Sequence, residues 1–487
     1  MPVSAFTGYS VPIVAQISQL CIDAFADFCA VYLRSNGPHA AAFSARDEFY
    51  GALADIPYDD FFIERARHFG AATILEEPLM VNGRRIGALV LGMGAGNALS
   101  DVDHRMVKVL SSIVSTAVEQ ADELAHHYRI SKRLQKAMLP AGLAKADHLA
   151  FDAAYRPAGD EADVGGDWYD AFELGNGHIG ISVGDVTGHG LEAAVAMSEI
   201  RRAIRSAAAS SSSPSALLNY VDNVVASQGI GMATAIVGIY DPATSALRYS
   251  CAGHPPPVLL SNHRALFLPG GGLLLGLGME SASQDWTVTL PPGASCYLYT
   301  DGLLEYGRDV IAGERDLLRA LERLSLRGNP TADALHTEIF NGTINNTDDC
   351  ATLALHRSES DASERSMYLA YSAVPLAAAL SREALRAFVE RSSDDSEERH
   401  FEILAATGEA VANAIEHGEH EPGSAFSIEV TQADGALTIC VENQGHWRPF
   451  TAREERGRGV PIMRACAHNL EIASTHEKTR VTLTFST

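Results

Sequence analysis

The sequence is poor in the features that mark several large classes of protein. Basic residues are outnumbered, 37 Lys and Arg against 61 Asp and Glu, for a formal net charge of -24. A surface of that sign repels a phosphate backbone, so nucleic acid is not an expected partner. No C-x-x-C pair occurs among the seven cysteines (Cys21, Cys29, Cys251, Cys296, Cys350, Cys440 and Cys466), which are odd in number and widely scattered. This argues against a disulfide framework or a zinc site and for a reducing cytosol. No uninterrupted apolar run approaches about 18 residues. The opening MPVSAFTGYSVPIV also lacks a basic stretch followed by a long apolar one. Neither secretion nor membrane insertion is expected, and a cytoplasmic location is.

What is present describes a globular chain. Hydrophobic residues make up 46% and charged residues 20% of 487 residues, at a mean hydropathy of -0.00. At roughly 150 residues per domain this suggests about three folding units, each able to bury a core. The acidity fits solubilising surface or carboxylates gathered to hold divalent cations.

The expected organisation is multidomain α+β. A first unit, residues 1–124, opens with the helical pattern VPIVAQISQLCIDAFADFCAVYL and closes with two apolar runs around Asn82-Gly83, a hairpin signal. From Asp101 to Met138 there is no proline or glycine, and Leu110, Ile113, Ala117, Ala121, Leu124 and Tyr128 recur at spacings of three and four. One helix of about 55 Å follows, at roughly 1.5 Å per residue. It would pair with its copy in a homodimer or pack along its own domain, and residues 125–147 would form a linker continuing it. In residues 148–358 short β-like runs such as HIGISVGD, ASCYLYTDG and CATLALHR alternate with Ala- and Leu-rich helical stretches, which favours antiparallel sheets. The polar SESDASERS run, residues 358–366, marks the boundary to a last α+β unit, residues 366–487.

Asp167 in VGGDWYD, Asp185 in GDVTGHG, Asp301 in YTDG and Asp349 in TDDCAT each sit beside glycine or at the end of an apolar run. Singly, each is ordinary turn chemistry. Gathered together they would repel unless cations neutralised them, and an all-oxygen set of aspartates, a backbone carbonyl and waters suits Mg²⁺ or Mn²⁺. Two such ions about 3.5 to 4 Å apart bind a phosphoryl group and lower the pKa of a bridging water.

In their order and context, VGGDWYDAF, VGDVTGHGLEAA, MATAIVGIYD, AGHPPPVLL, LYTDGLLE and DDCATLAL resemble the bacterial type 2C-like (PPM) serine/threonine phosphatases, in the sporulation stage II protein E and stress-regulator branch. The resemblance implies an α-β-β-α sandwich with a dinuclear metal site at one end. Asp167, Asp185, Asp301 and Asp349 would be its ligands, with the backbone carbonyl of Val186. Asp349 is preferred to Asp348 because it lies three residues before Thr352, as in that family's pattern. Gly188, His189 and Gly190 would turn the chain beside the metals, and His254 would order a loop.

In the last unit Glu409, Asn413 and His417 are spaced four apart and share a helix face. Alone such a stripe is usually solvated. Downstream, VENQGHWRP follows a strand, and GRGVPIMRA sets Gly457 and Gly459 before a helix whose N-terminus could meet phosphate. Asn413 could then hold a phosphate-bound Mg²⁺ while Glu409 polarises an attacking hydroxyl. These residues resemble the GHKL (histidine-kinase-like) ATPase fold, in particular anti-sigma-factor serine kinases. That implies an N box of Glu409 and Asn413, an adenine-facing loop with Asn443 and Gly445, and a second glycine box with Gly457 and Gly459. Asn443 stands where that family usually has Asp, so its bond to the adenine amine would lack charge assistance. The first unit resembles GAF sensory domains in its opening helix, its NGRRIGALVL hairpin and the exit helix ending in RLQKAMLP.

The resemblances together imply a partner-switching regulator that removes phosphate from phosphoserine or phosphothreonine on a STAS-type anti-anti-sigma protein, with two Mn²⁺ or Mg²⁺ ions. The last unit would use Mg-ATP as a serine kinase or bind a sigma factor, and the first would take an unidentified signal. The substrate is expected to act in trans. The alternatives are an anti-sigma sequestering protein without catalysis, and a phosphatase whose GHKL unit senses ATP.

Overall fold

The computed structural model describes residues 11–24, 26–34, 40–45, 59, 62–68, 70–95, 99–158, 165–175, 177–211, 213–279, 283–305, 309–340, 348–359, 365–392, 396–417, 424–433, 435–444, 459–475 and 477–486. It divides into two compact units, Met1–Arg133 and Leu134–Thr487.

The first unit runs α1 (Val11–Ala24), β1 (Phe28–Leu33), β2 (Ala40–Ala45), α2 (Phe62–His68), β3 (Thr73–Val81), β4 (Arg84–Met93) and most of α3 (Asp101–Met138). Its antiparallel sheet has the order β2-β1-β4-β3. The expected hairpin is present: Asn82 and Gly83 carry φ of 47° and 76°, which suits a tight two-residue turn between Val81 and Arg84. β1 is buried along its whole length. Its alternate residues Cys29, Val31 and Leu33 face α1 and α3, while Phe28, Ala30 and Tyr32 face Phe62 and Ala66 of α2.

The helix expected from Asp101 to Met138 forms; Leu110 of the stripe read in the sequence packs against the core, but the centre of the buried face is rotated away from Ile113. Val107, Ser111, Val114, Ser115 and Val118 are buried, whereas Ile113 is 47% exposed. Small side chains explain the choice. Ser115 accepts a hydrogen bond from the Met80 backbone at 3.0 Å and returns its own to the Ser111 carbonyl, a close approach that the Ile113 face would block. The side chains of Leu124 and Tyr128 lie outside the described residues.

The second unit continues with β5 (Leu149–Arg156), β6 (Trp168–Glu173), β7 (Ile179–Val186), α4 (Leu191–Ala208), α5 (Pro214–Gln228), β8 (Ala233–Asp241), β9 (Ala246–Ala252), β10 (Val258–Ser261), β11 (Arg264–Phe267), β12 (Trp286–Thr289), β13 (Ser295–Tyr299), α6 (Val310–Ser325), α7 (Ala332–Phe340) and β14 (Cys350–Arg357). It ends with β15 (Ser366–Ser372), α8 (Pro375–Ser392), α9 (Glu397–His417), β16 (Ala425–Ala433), β17 (Ala436–Gln444), α10 (Gly459–Cys466), β18 (Asn469–Ser474) and β19 (Lys478–Ser486). Local signals set the helix ends: α5 starts on the Ser213 cap with Pro214 in its first turn and stops at Gly229, with φ 65°.

Four layers form as the sequence implies. Apolar residues of β7, β8 and β9 (Ile181, Val183, Ile236, Tyr249) meet those of β10, β13 and β14 (Leu259, Leu298, Leu353). α4 and α5 cover the outer side of the first set through Met197, Ile200, Leu217 and Val221. α6 and α7 cover the second through Leu317, Leu321, Leu335 and Ile339. The smaller sheet has the order β11-β10-β13-β14-β5.

The larger sheet does not stop at this sandwich. Its order is β18-β19-β17-β16-β15-β12-β9-β8-β7-β6, so the strands of the last segment extend it. Val288 pairs with Tyr371 across the join, and one apolar core that includes Leu268, Val288, Tyr371 and Leu380 runs through it. Two hydroxyls complete it, Ser372 accepting from the Thr287 backbone at 2.8 Å and Thr289 accepting from the Ala370 backbone at 2.6 Å. In the last segment Phe388, Val411, Phe426, Ile439, Met463 and Leu483 close a core between the strands and α8, α9 and α10.

Candidate metal centre and nucleotide cleft

The four aspartates chosen from sequence stand at four strand ends, two in each sheet. Asp167 immediately precedes β6 and Asp185 is near the end of β7, and these strands pair so that Trp168 faces Gly184. Asp301 follows β13 in a short 3₁₀ turn and Asp349 immediately precedes β14, with Tyr299 facing Thr352. Rigid strands therefore deliver the carboxylates to one end of the sandwich.

The glycines beside them are required by space. A side chain on Gly166 would place its first carbon 2.5 Å from the Val186 carbonyl oxygen and 3.0 Å from Asp185 Oδ1. One on Gly165 would fall 1.7 Å from Asp349 Oδ2, and one on Gly302 1.9 Å from the Asp349 carbonyl. The G-G-D and D-G motifs thus hold backbone against carboxylate, with the Val186 carbonyl facing the same floor.

Crowding appears in the electrostatics. Asp167, 2% exposed, has its pKa pushed well up by burial and by the charges of Asp185 and Asp349, against a hydrogen bond from Thr300. Asp185 is raised to about 7, chiefly by burial, with Asp301, Asp348 and Asp349 adding repulsion and a hydrogen bond shared with Asp167 opposing it. Asp301 is raised by burial and by Asp348 and Glu305. A carboxylate cluster of this kind invites a cation. Among the described residues no three His, Cys, Asp or Glu side chains form a group that could hold a metal ion as they stand. Asp167 and Asp185 bond to each other, and Asp349 Oδ1 accepts from the Ala158 backbone at 2.8 Å. The donor set, all oxygen and in large part buried, nonetheless suits Mg²⁺ or Mn²⁺.

Several supporting residues escaped the sequence reading. Thr300, fully buried, donates to Asp167 Oδ2 at 2.7 Å and accepts from the Ala351 backbone at 2.8 Å. His336 on α7 bonds Thr352 at 2.9 Å and approaches the Cys350 sulfur at 3.5 Å, bracing the start of β14, and burial with Arg156 nearby lowers its pKa to about 4. Asp348 adds charge that Asp185 and Asp301 both feel. Its place beside Asp349 was the available signal. His254 behaves as a brace: it is buried, its Nδ1 lies 2.9 Å from Thr234 Oγ1, and burial lowers its pKa to about 3, so the ring is neutral. Thr234 pairs with Asp185 across β7 and β8.

In the last segment Glu409 and Asn413 on α9 converge on the first turn of α10. A side chain on Gly459 would lie 2.9 Å from Glu409 Oε2 and 3.7 Å from Asn413 Nδ2. That amide nitrogen is buried without a hydrogen-bond partner. Asn443 ends β17, nearly buried, and its amide donates to the Gln444 carbonyl at 2.9 Å, so its own carbonyl oxygen is the atom that remains to accept. Gly445, Gly457 and the His417 side chain lie outside the described residues.

Comparison with known proteins divides the chain along the same lines. Residues 175–358 match the family described as Stage II sporulation protein E (SpoIIE), and residues 371–485 match the histidine kinase-like ATPase domain. Asp185, Asp301 and Asp349 fall inside the first match and Asp167 precedes it. Phosphoserine phosphatase RsbU of Bacillus subtilis (strain 168) is 27% identical over 188 residues, covering 38% of this chain and 55% of that protein. Protein IcfG of Synechocystis sp. is 26% identical over 207 residues, covering 36% of this chain and 32% of that protein. The chain thus spans about a third to a half of the length of these curated relatives. The crystal structure of the RsbU and RsbW domains of Rv1364c from Mycobacterium tuberculosis covers 69% of this chain and 94% of its own, at 27% identity and a TM-score of 0.38.

Proposed function

We propose that the chain, which joins a SpoIIE-type phosphatase domain to a histidine kinase-like ATPase domain, is a bacterial partner-switching regulator. It removes phosphate from phosphoserine or phosphothreonine on a STAS-type anti-anti-sigma protein. The observation that carries this is the meeting of Asp167, Asp185, Asp301 and Asp349 from both sheets, where burial first and neighbouring carboxylates second raise the pKa values of Asp167, Asp185 and Asp301.

Two Mn²⁺ or Mg²⁺ ions, when bound, would supply Lewis acidity toward the phosphoryl oxygens and a bridging water acidic enough to act as hydroxide near neutral pH. Asp167, Asp185, Asp301, Asp349 and the Val186 carbonyl would hold them. Thr300 fixes the orientation of Asp167, and the Ala158 backbone donates to one oxygen of Asp349. Neutral His254 and His336 brace the strands and carry no charge into the centre.

The ATPase half contributes nucleotide binding. Asn413 turns an unpartnered buried amide nitrogen toward the α10 end, where it can donate to a phosphate oxygen, and its side-chain carbonyl would hold a phosphate-bound Mg²⁺. Glu409 beside it is the base for serine phosphorylation of the same partner. A second reading keeps this half as an ATP sensor or sigma-factor binder without transfer, and Asn443 in place of a carboxylate favours it. The first unit, with its antiparallel sheet between helices, acts as a GAF-type sensor, and cytoplasmic placement fits the reducing chemistry of the cysteines. Among the described residues no helix is long and apolar enough to cross a membrane.

The test uses a purified phosphorylated STAS partner with Mn²⁺, then the unphosphorylated partner with Mg-ATP, following serine phosphate by mass. Phosphate should be lost with the wild type and kept with Asp185→Ala, and the transfer reaction should vanish in Glu409→Ala. Equal behaviour of wild type and Asp185→Ala toward several such partners would remove the phosphatase reading. Absence of both transfer and ATP binding in the wild type would remove the kinase.

A further inference from the structure

The end of the sandwich that carries the aspartates is bordered on one side by apolar side chains turned to solvent. Leu191 and Val195 stand one turn apart at the start of α4. Met232 immediately precedes β8, and its carbonyl accepts from both the backbone and the hydroxyl of Thr187, two residues beyond Asp185, each at 3.0 Å. Leu273, Leu277 and Met279 lie on the loop before β12, which the backbone bonds between Leu275 and Ala233 hold against the start of β8. Gly276, at φ 92°, comes so close that a side chain there would fall 2.2 Å from the Gly231 carbonyl oxygen. These leucines, methionines and Val195 are between 41% and 58% exposed. One buried cluster, with Val186, Ala193, Val225, Ala233 and Leu275, runs beneath them. A lone exposed leucine is ordinary, whereas apolar side chains gathered over one support mark a docking face.

We propose that this surface docks the folded protein that carries the phosphoserine, through an apolar patch on that protein beside its phosphorylated residue. The proposal rests on the phosphatase reading and adds what selects the substrate. Position names the occupant. Asp185 pairs with Thr234 and Val186 with Ala233 across β7 and β8, so Met232 stands one residue beyond the strand pair that presents the Val186 carbonyl. A seryl phosphate held at the aspartates places the rest of its protein over Met232 and the adjoining loop. The chemistry agrees. Aspartates and the cations they hold recognise a phosphoryl group, which is the same on every phosphoserine, so discrimination between proteins must come from outside the metal centre. The sequences Gly229–Thr234 and Gly271–Met279 hold no charged residue, which leaves apolar contact as what they offer. Leucine and methionine on glycine-rich backbone can adapt to a partner's relief. A small phosphate ester or a short peptide reaches the metals without covering this surface and gains nothing from it.

The experiment follows phosphate release by the full chain with Mn²⁺ from p-nitrophenyl phosphate, from a short phosphoserine peptide, and from a folded STAS protein phosphorylated within that same peptide sequence. Met232→Gln combined with Leu277→Gln removes apolar surface without adding charge near the aspartates. In this variant KM for the folded protein should rise about tenfold or more, with kcat and circular dichroism unchanged. For the ester and the peptide kcat/KM should stay within about twofold of the wild type. Fluorescence anisotropy of the labelled phosphoprotein should show the same loss of affinity when the two substitutions are added to Asp185→Ala, where no turnover intervenes. An unchanged KM for the folded protein overturns the proposal, and so does an equal loss on all three probes. A variant that differs from the wild type only in its mass by light scattering also overturns it, since the surface would then join copies of this chain. A wild type inert toward every probe removes the phosphatase reading itself, and the proposal with it.

Discussion

Thr300 ties two strands and a carboxylate together from a fully buried position, donating to Asp167 and accepting from the Ala351 backbone. Thr300→Val keeps the shape but withdraws both bonds, leaving Asp167 free to turn and the Ala351 N–H unpaired. Losing such support around metal ligands costs about 10- to 100-fold in affinity. Manganese titration of the variant should show a drop of that size with the fold intact by circular dichroism, and affinity within twofold of wild type would refute the role. The aspartates themselves were legible from the order and context of the motifs that hold them, since singly each is ordinary turn chemistry. Thr300 and His336 were not, since a hydroxyl closing an apolar run or a histidine in a short helix looks like any other. Only the fold brings them against Asp167 and Thr352.

Strand ends act as a group. With Asp185 raised to about 7 and Asp167 also raised, the folded protein without metal binds more protons than the unfolded chain between the ordinary aspartate pKa near 4 and about 7. Its stability therefore declines as pH rises through that window. A cation removes the repulsion, and it competes with protons only at the lower end. The rise in Tm on adding Mn²⁺ should be larger at pH 8 than at pH 5 by scanning calorimetry, and an equal rise at both would contradict the electrostatic account. Most elements were visible from periodicity and turn residues, the Asn82-Gly83 hairpin and the helix Asp101–Met138 among them. The buried face of that helix was not visible. It carries two apolar stripes, and the preference for the one with Ser111 and Ser115 depends on how closely β3 approaches.

At the scale of the molecule, the phosphatase and ATPase segments share one ten-stranded sheet, joined by Val288 and Tyr371 and by the hydroxyls of Thr289 and Ser372. The polar run before Ser366 announces a boundary in the sequence, but the pairing across it leaves no sequence trace, because its partners lie far apart in the chain and look like any other apolar strand residues. Unit Leu134–Thr487 should unfold in one calorimetric transition. The double variant Thr289→Val, Ser372→Ala should separate it into two, and a single unchanged transition would show that the seam contributes nothing. The larger claim at this scale is that carboxylates far apart in the chain and carried by two sheets make one dinuclear centre. Counting bound Mn²⁺ by calorimetric titration at pH 8 tests it most directly. The wild type should bind two ions in the phosphatase segment and Asp185→Ala should lose that binding. A wild type that binds none there, or an Asp185→Ala variant that binds as the wild type does, would contradict it.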